Sequence, residues 1–122
     1  MSAASHPRHR LDEVIHSPLR LSIVSALSAV DKAEFRAVRD AVEISDSLLS
    51  KQVALLEQAG YIDVQKDRVG RRPRTWLALN EAGREALAAH LSALADITHG
   101  HRLVAAATQG HPTKTWAPSA RA

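Results

Sequence analysis

The residues best equipped for chemistry lie in two adjoining stretches. Between positions 66 and 74 stand Lys66, Arg68, Arg71, Arg72 and Arg74, against one acid, Asp67. Five cations so close together repel one another. An anionic partner relieves that repulsion, and the phosphates of nucleic acid are the natural candidate. An arginine near the tip of such a stretch can also enter a narrow minor groove. The plainer reading is a solvated charge run that keeps an exposed strand from aggregating. Upstream, residues 46–52 read Asp-Ser-Leu-Leu-Ser-Lys-Gln. As a helix, this segment has an apolar back of Leu49, Val53 and Leu56. Asp46, Ser47, Ser50, Lys51 and Gln52 form its front and flanks. Short serines let the backbone approach a surface closely, and Lys51 and Gln52 are donors long enough for bases or phosphates. A B-DNA major groove admits one such helix. An ordinary amphipathic surface helix shows the same pattern. Asp46 also has a local role, because a carboxylate in the first turn favours the helix dipole.

The elements that must position these residues follow from periodicity and punctuation. Ser17-Pro18 predicts a helix start, with serine as N-cap and proline first in the helix. Leu19, Ile23, Leu27 and Val30 continue it at helical spacing. A short helix over about 34–42 places Phe35, Val38 and Val42 on one face. Ser45 caps a third helix over about 46–59, and Gly60 ends it in a left-handed conformation. The period then changes to two. Ile62 and Val64 alternate with Asp63 and Gln65 as a strand, residues 66–73 form a hairpin tip around Gly70, and Thr75, Leu77 and Leu79 return. Asn80 caps a last long helix carrying Leu87, Leu91 and Leu94. This order predicts a mainly α fold with a small β-hairpin: a winged helix-turn-helix with a C-terminal dimerisation helix. The expected divisions are a flexible N-terminus over 1–10, the domain over 11–99 and a flexible tail over 100–122. Gly110, Pro112, Trp116 and Pro118 lie in that tail.

The chain has 122 residues, enough for one domain with a thin core. An unused apolar helix face would then tend to pair with a second copy. Leu11, Ile15, Leu87, Leu91 and Leu94 are the candidates for that dimer contact, unless the stripe folds onto the chain's own core. Ala86, Ala89, Ala93 and Ala95 allow close helix approach in either case. A net charge of +3 favours a polyanionic partner. With no cysteine, the chain has no disulfide, thiolate metal site or cysteine nucleophile. Residues 1–10 lack the apolar core of a signal peptide, and no apolar run approaches the roughly 18 residues of a membrane span. A cytoplasmic protein is expected. There is no GxSxG elbow, phosphate-binding glycine loop or HExxH helix, and no clustered carboxylates. No enzyme activity and no cofactor are expected. His99 and His101, with Asp96 and His90 upstream, have zinc-compatible donors. They fall at a helix end without evident rigid geometry, so no metal is expected. His16, just before the Ser17-Pro18 cap, reads as a packed or hydrogen-bonding residue.

Several segments also carry a family resemblance. ISDSLLSKQVALLEQAGYIDV, residues 44–64, resembles the recognition-helix region of MarR- and ArsR-like winged-helix repressors. RVGRRPRTWLALNEAGREAL, residues 68–87, resembles their wing and following helix. LDEVIHSPLRLSIVSAL, residues 11–27, is similar to the first helix of a compact bacterial subgroup. The resemblance covers about residues 11–97. It implies a homodimer that binds pseudo-palindromic double-stranded DNA and represses transcription. Matching positions imply base-facing roles for Ser47, Leu48, Ser50 and Lys51, and backbone roles for the wing arginines. Metal sensing in ArsR-type proteins and redox sensing in MarR-type proteins commonly use cysteine, which is absent here. The chain is also shorter than a typical MarR protein, with less helical material for a ligand pocket. DNA binding therefore carries over, whereas an effector does not. The alternative is a winged-helix module that uses the same surface for an acidic protein partner.

Overall fold

The computed structural model describes residues 5–108, apart from the side chains of 101–103. After a 3-10 turn at Pro7–Arg10 come α1 (Pro18–Ser28), β1 (Ala33–Glu34), α2 (Phe35–Val42) and α3 (Asp46–Gln58). The hairpin β2 (Ile62–Val69) and β3 (Arg72–Leu79) follows, then α4 (Glu81–Thr98) and α5 (His101–Ala107).

Local chemistry sets the main helix starts. The Ser17 hydroxyl accepts the Arg20 N–H with Pro18 in the first turn, Ser45 accepts from Leu48, and Asn80 accepts from Gly83. Each bond satisfies a donor that the first helical turn leaves unpaired. Two left-handed residues set the turns flanking α3. Glu43 has φ 62° between α2 and α3, and Gly60 has φ 84° just after α3.

The sheet runs β1-β3-β2 and is antiparallel. Ile62 pairs with Leu79 and Val64 with Leu77, which places these four side chains on one face. That face packs on Ile23, Val24 and Leu27 of α1, Val38 of α2, and Leu49, Val53 and Leu56 of α3. Ile15 and Leu87 complete the core. Burying each large aliphatic side chain contributes about 1.5–3 kcal/mol.

The structure departs from the sequence reading at several points. α1 ends at Ser28, so Val30 lies beyond it and is exposed; Val24 joins the buried face instead. Arg84 of α4 closes this end by donating to the carbonyls of Ser28 (3.0 Å) and Val30 (2.9 Å). Most of the expected hairpin tip is paired strand, from Lys66↔Thr75 to Val69↔Arg72, leaving Gly70 and Arg71 as the turn. Gly70 has φ 62°, the positive value that a II′ turn needs at its first central position. The two-residue β1 was not anticipated, being too short to show a period. α5 is helical where the reading placed a tail. Trp116, with Gly110, Pro112 and Pro118, lies outside the described residues.

Candidate nucleic-acid interface

Helical periodicity sorts the residues of α3 by face. Leu49, Gln52, Val53 and Leu56 point inward. Gln52 is therefore corrected from the outward face: it is 8% exposed, and its Oε1 accepts from Nη1 of Arg20 on α1 at 2.9 Å. Its amide braces α3 against α1 and is withdrawn from DNA. Ser47 and Lys51 are exposed and outward, and Ala54 and Gln58 continue the same face. The last two were missed, although they extend the 47–51 spacing by three and four residues. Asp46, Ser50 and Glu57 border a groove of about 420 Å³, whose opposite wall includes Lys66 and Thr75 of the hairpin. Leu48 and Leu55 are exposed on the other flank. Asp46 accepts from Arg39 Nη1 at 2.8 Å. Its hydrogen bonds to the carboxylates of Asp46 and then Asp40 raise the Arg39 pKa.

Register divides the wing in the same way. Lys66 and Arg68 share the face of Ile62 and Val64, with Thr75 and Pro73 opposite them. Asp67, Arg72, Arg74 and Trp76 lie on the reverse face, where Glu34 pairs with Trp76. Asp67 binds Arg74 in two bonds, of 2.9 and 2.8 Å, and accepts the Trp76 indole N–H at 3.3 Å. The Arg74 bond holds the Asp67 carboxyl below its ordinary range. Lys32 Nζ stands 4.7 Å and the Arg74 guanidinium 5.1 Å from the Trp76 ring centroid. Arg72 donates to Glu34 at 3.5 Å, and Arg68 donates across the turn to the Arg71 carbonyl at 3.4 Å. Lys66 and Arg71 make no ion pair among the described residues. The picture of five mutually repelling cations is thus corrected: Asp67 and the sequence-distant Glu34 compensate Arg74 and Arg72.

A polar knot fixes the root of this unit. The Asp12 carboxylate accepts from the N–H groups of Val14 (2.9 Å) and Ile15 (3.0 Å) and from the Tyr61 hydroxyl. Burial pushes the Asp12 pKa up, but these bonds more than offset it and the carboxyl sits below its usual value. The Tyr61 pKa is pushed up to about 12, first by its bond to Asp12 and then by burial. The Asp12 N–H donates to His90 Nδ1 at 3.0 Å. Residues 12–15, the turn after α3 and α4 are thereby tied together. His90 is fully buried, and its ring centroid lies 5.4 Å from that of His16. Its Nε2 has no hydrogen-bond partner among the described residues. Among those residues no group of three or more potential ligands is arranged for a metal.

Of the candidate dimer residues, Ile15 and Leu87 are corrected: both are buried in the chain's own core and offer no surface to a second copy. Leu91 is 47% exposed, while Leu11 and Leu94 are half-buried. Arg10 pairs with Asp96 and fastens the N-terminal turn to α4.

A helix pair with a tight turn, followed by an antiparallel hairpin beside its second helix, defines the winged-helix class. The chain belongs to the winged helix DNA-binding domain family, whose model matches residues 19–98. Among solved structures, it is similar to a transcriptional regulator homologue from Pyrococcus horikoshii OT3. Identity is 26% over 74% of this chain and 89% of that one, with a TM-score of 0.68. It is also similar in fold to a MarR-family regulator from Enterococcus faecalis V583, at 20% identity over 78% and 84% of the two chains and a TM-score of 0.60. The PcaV transcriptional regulator from Streptomyces coelicolor, solved with its natural ligand, shares the fold at 23% identity over 84% and 70%, with a TM-score of 0.58. No curated protein matches. The chain is thus a winged-helix protein of a DNA-binding family, similar to a transcriptional regulator homologue and sharing its fold with a MarR-family regulator. Among the described residues, no helix is long and apolar enough to cross a membrane.

Proposed function

We propose that the protein is a homodimeric transcriptional repressor of the cytoplasm that binds double-stranded DNA sequence-specifically. The observation that carries this reading is the juxtaposition of two surfaces. Ser47, Ser50, Lys51 and Ala54 give α3 a low outward face bearing donors, and Lys66 and Arg68 occupy the hairpin face on the same side. In this reading α3 lies in the major groove. Ser47, Ser50 and Lys51 meet base edges, and Leu48 offers the apolar contact that a thymine methyl accepts. Lys66, Arg68 and Arg71 reach phosphates or the adjacent minor groove.

A second copy docking through exposed Leu91, with Leu11 and Leu94 at its edge, presents two such units. Two units related by a twofold axis suit half-sites about one helical turn apart. Occupying such a site blocks transcription from it. The likeness to proteins described as transcriptional regulators supports the reading.

Titrating labelled genomic duplexes at several salt concentrations tests it. One operator should be preferred by orders of magnitude over random duplex, with affinity falling steeply as salt rises. No binding to any fragment at low salt overturns the reading. Capture of an acidic protein by the same surface, without DNA binding, would establish the interaction-module alternative.

A further inference from the structure

Carboxylates hold part of the positive charge on α3, the hairpin and their neighbours. Asp46 holds Arg39 at the start of α3, and Asp67 holds Arg74 midway along the wing. Glu34, at the junction of β1 and α2, stands 3.5 Å from Arg72 and 4.0 Å from Arg36, bridging the wing to the second helix. Three carboxylates from three elements thus engage four guanidinium groups, Asp46 at the edge of the α3–hairpin groove and Glu34 and Asp67 on the reverse face of the sheet, while Asp40 also holds Arg39. Lys51 on α3, Lys66 and Arg68 on the hairpin face toward α3, and Arg71 in the turn make no ion pair among the described residues.

We propose that Glu34, Asp46 and Asp67 are built-in counter-ions that restrain the protein's grip on arbitrary duplex and leave α3 to decide where it stays. The proposal rests on the DNA-binding reading above. An unpaired cation that meets a phosphate displaces a condensed counter-ion, and each such contact steepens the salt dependence. A guanidinium already held by a carboxylate must first leave it, and the abandoned carboxylate then repels the phosphate nearby. Exposed ion pairs are individually weak, so each acts as a brake that a well-fitted site can override. Local folding needs account for only part of the set, since Asp46 favours the α3 dipole and Asp67 faces Arg74 across the hairpin. Ser45 already caps α3 without Asp46, and Glu34 makes no side-chain cap for α2.

The test uses the full chain and a labelled random-sequence duplex over a salt series. Glu34→Gln, Asp46→Asn and Asp67→Asn are compared with Glu85→Gln. Glu85 is exposed on α4, has no ion pair among the described residues, and undergoes the same charge change. Each of the three variants should bind severalfold more tightly than the control. Its slope of log K against log salt should steepen by up to about 0.9 per freed guanidinium, least for Asp46→Asn, where Asp40 still holds Arg39. The charge-neutral double variant Asp67→Asn with Arg74→Gln should keep the wild-type slope, because a paired Arg74 makes no phosphate contact. An unchanged far-ultraviolet circular dichroism spectrum reports that each variant keeps the fold.

Variants that match Glu85→Gln, or bind more weakly, overturn the proposal. So does a double variant whose slope falls by about one, since Arg74 would then already grip phosphate. A wild-type chain that binds no duplex at low salt overturns the DNA-binding reading itself. A wild type that binds while the variants follow the control overturns only the counter-ion proposal.

Discussion

Gly83→Ala probes how closely α4 approaches the base of the reading unit. Gly83 is buried in the first turn of α4, and its N–H donates to the Asn80 cap at 2.9 Å. A Cβ at this position would lie 2.3 Å from the Tyr61 carbonyl oxygen and 2.5 Å from Leu79 Cδ1. Ordinary non-bonded carbon contacts fall at about 3.5–4.0 Å, so the gap must open by roughly 1 Å. The Leu79 terminus can turn only within a packed core. The Tyr61 carbonyl is backbone and already accepts the Asn80 N–H at 3.1 Å. α4 must therefore lift away from the turn after α3. Alanine's helix preference offsets about 0.5–1 kcal/mol, while overpacking of this kind costs about 1–3 kcal/mol or more. The clash exceeds what one rotamer change absorbs, which places the cost at the upper end. A net loss of about 2 kcal/mol lowers the melting temperature by roughly 8–16 °C in a domain of this size. Thermal unfolding followed by circular dichroism measures it, with Gly60→Ala as comparison. At Gly60 a Cβ meets nothing within 4 Å, and the cost is only the left-handed backbone, about 1–2 kcal/mol. A Gly83→Ala protein melting at or above the wild-type temperature would show that α4 does not approach the Tyr61 carbonyl this closely.

Three further perturbations probe the buried histidine, the wing tip and the exposed face of α4. Burial, then the neighbouring His16, lower the pKa of His90 below its ordinary 6.5, with Asp12 opposing. The unfolded chain takes up this proton more readily, so the contribution to stability is complete above pH 6.5 and is lost as pH falls through the folded-state value. His90→Asn, whose amide oxygen can keep the Asp12 N–H, should lose that slope, and a wild-type melting temperature unchanged between pH 6.5 and about 5 contradicts the assignment. Arg71→Ala should weaken binding to all duplexes alike and reduce the salt slope by about one; a change confined to one sequence would give Arg71 a base-reading role instead. Leu91→Asp places a charge on the apolar face of α4, and sedimentation should show a dimer becoming monomer, whereas an unaltered dimer would put the contact elsewhere.

The features legible in the sequence were those whose causes are local. Ser17, Ser45 and Asn80 announced their caps because a capping side chain acts within three residues of itself. Gly60 announced the end of α3 for the same reason. Gln52 was misread because an amide suits either face of a helix. The partner that fixes it inward, Arg20, is 32 residues away. The hairpin's length was hidden because its outer half is polar on both faces, which removes the alternation that marks a half-buried strand. The knot of Asp12, Tyr61 and His90 spans separations of 49 and 78 residues, beyond any spacing rule. Leu87 and Leu91 follow one stripe, yet only the packed structure shows that the first faces the core and the second does not. The wing was found from its charge, but its division into free and engaged cations needed the strand register and Glu34.

In the proposed complex α3 chooses the DNA, while the wing cations that have no ion pair among the described residues hold it. Genome-wide mapping of the native protein, repeated with Ser47→Ala and Lys51→Ala, tests this most directly. A small set of discrete sites sharing an inverted repeat is expected, with the α3 variants redistributed over other sequences and still bound to DNA. Diffuse occupancy without a shared sequence, or a site set unchanged by both variants, would contradict it.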